Sequence, residues 1–129
     1  RFTQGADQLR CLTMTPKGPL RWYTACCRTP IGNTPRSPKL SFVGLLHGCL
    51  GGHDALDAAL GPVDVVVFPE EARGEPKPEK RLPPTLVLRF ALDLARARLG
   101  GRWKRNPFFE ASGAPIAEPT PPGAMLPDA

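Results

Sequence analysis

Apolar and polar positions partly alternate over Gln8-Leu9-Arg10-Cys11-Leu12-Thr13-Met14 and again over Leu20-Arg21-Trp22-Tyr23, the period of a strand with one buried face. Thr15-Pro16-Lys17-Gly18 lies between them and puts proline and glycine where a tight turn needs them, which predicts a hairpin. A turn centred on Pro16 and Lys17 pairs Cys11 with Trp22 and makes Cys11 a buried strand thiol. The same register sets Cys26 opposite Asp7, about 13 Å along the sheet from Cys11 and beyond disulfide reach. Prolines at 30, 35 and 38, with Gly32 and Asn33, predict an irregular loop over 29–39. Ser41-Phe42-Val43-Gly44-Leu45-Leu46 is apolar enough for a central strand, and Val63-Asp64-Val65-Val66-Val67-Phe68 has the β-branched content of another. Between them Asp54 is placed to cap a short helix over 55–60, which Gly61-Pro62 stops.

The pattern changes at Pro69. Residues 69–83 alternate charge and proline, offer little apolar surface to offset ordering entropy, and are expected to form an exposed loop. Pro84 then suits the first turn of a helix over 84–99, with Gly100 and Gly101 as its stop. Arg89, Asp93 and Arg96 form one narrow polar stripe, and apolar residues cover most of the remaining surface. Such a helix is expected to be mostly covered, by the sheet, by a second copy in a homo-oligomer, or by a membrane interface. From Gly113 on, prolines at 115, 119, 121, 122 and 127 predict a tail. The expected organisation is a β-rich part over 1–68, a loop over 69–83, a helix over 84–100, and a basic segment with a disordered tail over 101–129.

Composition narrows this further. A length of 129 residues suits one domain, and 17 prolines with 13 glycines make its folded part shorter than the chain. No apolar run approaches the roughly 18 residues of a membrane span. A net charge of +5 serves solubility as well as anion attraction, so nucleic acid is not the expected partner. Cysteines at 11, 26, 27 and 49 are too few and too irregular for a secreted disulfide framework, which points to a reducing cytoplasm. The opening Arg1-Phe2-Thr3-Gln4-Gly5 has neither a methionine nor a signal-like leader, and the chain is expected to begin partway through a larger domain.

The most specific local feature is Trp22-Tyr23-Thr24-Ala25-Cys26-Cys27-Arg28-Thr29-Pro30-Ile31-Gly32-Asn33. Vicinal cysteines at a strand end before a proline-bearing turn suit metal ligation, because a turn can lift thiolates and backbone N–H groups toward one point. On extended backbone, adjacent side chains point to opposite faces, so one thiol is expected as ligand and the other as a packing residue. His47, Cys49 and His53 are candidate complements. On residues alone, inert structural thiols and metal ligands both stand. Arg10, Arg21 and Arg28 could attract a peptide carboxylate or simply be solvated. Arg96, Arg98, Arg102, Lys104 and Arg105 around Trp103 suit either a single-stranded nucleic acid or anionic membrane surface, or a helix C-terminus whose dipole favours cations.

The stretches from Leu9 to Gly18 and from Cys26 to Thr34, with 41–47 and Asn106-Pro107-Phe108-Phe109-Glu110, resemble an uncharacterised bacterial subgroup of the glutathione-dependent formaldehyde-activating zinc family. The resemblance implies an all-β, tent-like fold. Combined with the predicted helix, the expected class is mainly β with one C-terminal helix, or α+β. The family's late motif is C-x-x-C-G-T-P, whose cysteines join an earlier pair around a structural zinc, while a separate N-terminal cluster holds the zinc associated with catalysis. Cys27, Thr29 and Pro30 match its second cysteine, threonine and proline. Thr24 stands at its first cysteine, Arg28 at its glycine, and Cys26 is an extra thiol. The resemblance thus implies zinc, with Cys27 as ligand and Cys26 as the second, and no catalytic residue is assigned. The implied activity is that of a carbon–sulfur lyase acting on glutathione or related thiol adducts of aldehydes, if N-terminal zinc ligands exist. The alternative is a non-catalytic, zinc-stabilised interaction module with a basic C-terminal surface.

Overall fold

A computed structural model describes residues 2, 4–49, 53–61, 65–71, 73–77, 79 and 82–121, with main chain alone at 49 and 53–55. The expected hairpin forms β1 (Leu9–Leu12) and β2 (Leu20–Thr24), paired antiparallel with Cys11 opposite Trp22 and Leu12 opposite Arg21. β2 continues into β3 (Pro30–Thr34), also antiparallel, and β3 takes the two-residue β4 (Gly44–Leu45) on its other side. β5 (Pro119–Thr120) pairs parallel to β1, so the mixed five-stranded sheet has the order β4-β3-β2-β1-β5. With this sheet and one principal helix over Pro84–Leu99, the fold is of the expected class, mainly β with one C-terminal helix or α+β. The shorter α1 covers His53–Leu60.

Several sequence expectations are corrected. The loop expected over 29–39 contains β3, although Pro30, Gly32 and Asn33 are poor strand formers. Proline is tolerated because it opens the strand, and glycine because a Cβ at Gly32 would come within 2.5 Å of the Gly44 carbonyl oxygen. The strand expected over 41–46 shrinks to β4. Of the strand expected over 63–68, Val63 and Asp64 lie outside the described residues and only Val66 makes a bridge among the rest. α1 begins at His53, so Asp54 falls in its first turn rather than at its cap. The segment expected as a tail closes one side of the sheet, where Thr13 N–H donates to the Thr120 carbonyl at 3.0 Å and the Thr120 hydroxyl donates to the Cys11 carbonyl at 3.2 Å. Residues 122–129 lie outside the described residues.

One face of the hairpin is the core. Leu9 and Cys11 from β1 and Leu20 and Trp22 from β2 pack against Phe108 and Phe109, with Phe2, Ile31, Val43 and Ala117 around them. Trp22 lies 4.9 Å from Phe108 and 6.4 Å from Phe109 between ring centroids, and Phe2 meets Phe108 edge-on at 5.2 Å. Asn106 orients that pair by accepting the Phe108 N–H on Oδ1 at 3.1 Å.

α2 (Pro84–Leu99) has the expected bounds, with proline in its first turn and Gly100 N–H capping the Arg96 carbonyl. Of the expected covers, the sheet does not supply one. Ala97 is the one buried residue of α2, while Val87, Leu88, Phe90, Leu92 and Leu99 are exposed. The core face of the sheet is already occupied by Phe108 and Phe109, so α2 approaches the rest of the chain along a single strip, where Phe90 meets Phe42 at 5.8 Å. Among the described residues, no helix is long and apolar enough to cross a membrane.

Candidate thiol site

The loop between β2 and β3 is built by its own main chain. Thr24 N–H donates to the Thr29 carbonyl at 3.0 Å, Arg28 N–H closes back on the Thr24 carbonyl at 2.8 Å, and Ala25 N–H ties the loop to Gln8 just before β1 at 2.8 Å. Four residues turning this tightly need one left-handed conformation, and Arg28 adopts it at φ 55. The turn takes Cys26 and Cys27 off extended backbone, and both thiols emerge exposed on one side. The expectation that one of them packs and the other ligates is therefore corrected, since strand alternation does not apply inside a turn.

Cys27 sits in a cradle of donors. The hydroxyls of Thr24 and Thr29 each lie 3.0 Å from its Sγ, and the Cys26 thiol donates to it at 3.7 Å. Thr29 N–H donates to the Thr24 hydroxyl at 3.2 Å, and that hydroxyl has both the Cys27 sulfur, at 3.0 Å, and the Thr29 carbonyl, at 3.5 Å, within hydrogen-bond reach. The Thr24 hydroxyl most strongly, then the Thr29 hydroxyl and main-chain N–H, then the Cys26 thiol, pull the Cys27 thiol down from 9.0 to about 6. These contacts favour the Cys27 thiolate, the form that attacks electrophiles and ligates metals. Cys11 is the reverse case, because burial pushes its thiol up to about 11, against the opposing charge of Arg36.

Geometry also bears on zinc. Two thiolates on a tetrahedral zinc, with Zn–S near about 2.3 Å, are about 3.8 Å apart. The Cys26 and Cys27 sulfurs are 3.7 Å apart, a separation that matches two neighbouring vertices. Further ligands do not converge: among the described residues no group of three or more His, Cys, Asp or Glu side chains could hold a metal. His47 is exposed and begins a single turn, His47–Cys49, and the side chains of Cys49 and His53 lie outside the described residues.

The arginines divide by role. Arg10 donates to the carbonyls of Asp7 and Leu9 at 2.9 and 2.8 Å and so braces the start of β1, whereas Arg21 projects from the outer face of β2. In the basic segment Arg96 pairs with Asp93 at 3.6 Å, and Lys104 Nζ stands 5.7 Å from the centroid of Trp103, which covers that ring from within the chain. Sequence pattern alone did not find Thr24 as a functional residue. The available signal was its place three residues before Cys27, where the resembled motif has a cysteine.

The chain belongs to a family of unknown function, DUF6151, whose family model matches residues 1–120. No curated protein and no solved structure matches it.

Proposed function

We propose that Cys26 and Cys27 are two of the thiol ligands of a zinc centre, and that the protein carries the chemistry of the formaldehyde-activating family it resembles. That chemistry is the addition or removal of a one-carbon carbonyl unit at a glutathione sulfur. The observation that carries this reading is the pair of sulfurs 3.7 Å apart on one turn, with hydrogen bonds that favour the thiolate of Cys27. Two features of the loop support it. Arg28, at the motif's glycine position, has the left-handed backbone that glycine best accommodates. Thr24, at the motif's first cysteine position, has its side chain in contact with Cys27. Zinc bound there would lower the pKa of coordinated thiols and tie the loop to the other ligands. The chain's own residues favour the Cys27 thiolate and keep both sulfurs at the surface. The second reading, a non-catalytic zinc-stabilised module, places the same ligands in a purely structural role in a cytoplasmic protein.

Metal analysis of the purified protein, with Cys26→Ser and Cys27→Ser variants and an assay for consumption of the glutathione–formaldehyde adduct, tests the proposal. Zinc that is lost in the Cys27 variant, together with adduct turnover, is the expected result. Zinc without turnover favours the structural module, and zinc-free wild-type protein overturns both.

A further inference from the structure

The end of β2 remote from the thiol loop borders a groove of about 910 Å³, within the span of about 300–1,000 Å³ typical of small-molecule sites. One wall is apolar and formed by Leu40, Phe42, Val67 and Phe68, all of them substantially exposed. Contiguous exposed apolar surface of this kind usually marks an interaction site. Phe68 is held at φ 56, a conformation uncommon for a bulky residue, and its side chain stays 65% exposed beside the groove.

The polar groups around this wall carry one sign of charge. Lys17, Arg21 and Arg36 line the groove, and among the described residues no aspartate or glutamate does. None of the three cations takes part in an ion pair among the described residues, where Arg96–Asp93 is the ion pair seen. An anion with an apolar body would meet these cations with its charged end while covering the wall.

We propose that this groove binds a small amphiphilic carboxylate. Its chain lies against Leu40, Phe42, Val67 and Phe68, and its carboxylate is held by Arg21 and Arg36 with Lys17 nearby. The site shares no residue with the thiol loop, so it stands independently of the zinc reading.

Decanoate, kept below its micelle concentration, is the probe, titrated calorimetrically and by amide chemical shifts. Saturable binding is expected, with shifts concentrated at Gly18, Asn33, Thr34, Arg36, Ser37, Leu40, Phe42 and Gly44. Decanol and decyltrimethylammonium should bind at least roughly tenfold more weakly, since each lacks the anion. An Arg21→Gln/Arg36→Gln double variant should lose roughly tenfold in affinity, whereas Arg102→Gln, outside the groove, should not change it. Both arginines are exposed, and an unchanged thermal midpoint will show that the double variant is folded. Absence of decanoate binding, equal binding of decanol, shifts spread along α2, or unchanged affinity in the double variant would each overturn the proposal.

Discussion

The indole N–H of Trp22 donates to the hydroxyl of Thr34 at 2.9 Å, joining β2 to β3 inside the core, where each residue is 1% exposed. Trp22 is the largest fully buried side chain, and this bond satisfies its one polar atom. Thr34→Val keeps the shape and removes the acceptor. It should destabilise the protein by about 1–3 kcal/mol in urea denaturation, the cost of a buried donor left without a partner.

Alkylation of Cys27 by iodoacetamide should follow its thiolate fraction, reaching half its maximal rate near pH 6. Thr24→Val and Thr29→Val each remove a hydroxyl that favours the thiolate, so each should move that midpoint upward toward 9.0. Cys11 should react only on unfolding. Its folded pKa lies above its unfolded value, so its contribution to stability is complete below pH 9.0 and declines as pH rises from 9.0 to about 11. Peptide mapping after timed alkylation separates the two thiols.

Thr24→Cys places a third sulfur beside Cys27, at a position whose hydroxyl already lies 3.0 Å from that thiol. If the turn is a zinc half-site, this variant should bind zinc at least roughly tenfold more tightly in chelator competition. Unchanged affinity would show that the cradle serves the thiolate and not a metal.

Arg28→Gly should stabilise the protein by about 0.5–1 kcal/mol, because glycine adopts the left-handed backbone of Arg28 without the Cβ penalty. A raised thermal midpoint with unchanged Cys27 alkylation is the expected signature.

Gly32→Ala should loosen β4. The added methyl would meet the main chain of Gly44, which has no flexible side chain to yield, so β3 and β4 must separate locally. Hydrogen exchange should accelerate at Leu46, whose N–H donates to the Ile31 carbonyl at 2.9 Å, before it does so at Trp22 in the sheet centre.

The hairpin was legible in the sequence because a short turn at Pro16-Lys17 leaves little freedom of register, and the Cys11–Trp22 pairing followed from it. The bounds of α2 were legible for a similar reason, since Pro84 and Gly100 act through backbone geometry that tertiary context does not override. β3 was hidden because each of Pro30, Gly32 and Asn33 argues locally against a strand, and only the close approach of Gly44 gives Gly32 its purpose. The packing of Phe108 and Phe109 on the hairpin depends on long-range contacts that periodicity does not encode, and with it went the expectation that the sheet would cover α2. At the thiol site, Cys26 and Cys27 were identified but their orientation was not. The Thr24 cradle became visible only when the turn brought residues 24, 27 and 29 together.

Among the described residues, both margins of the sheet are strands of two residues. Gly44 and Leu45 border β3, and Pro119 and Thr120 border β1, with a proline that has no N–H to offer a neighbour. Long, flat margins invite other chains to add strands and so seed aggregation; margins this short give an incoming strand almost nothing to template on. Any complex this protein forms through the sheet region is therefore expected to use side chains, the exposed thiols and the cation-lined groove among them, and not a shared ladder of backbone hydrogen bonds.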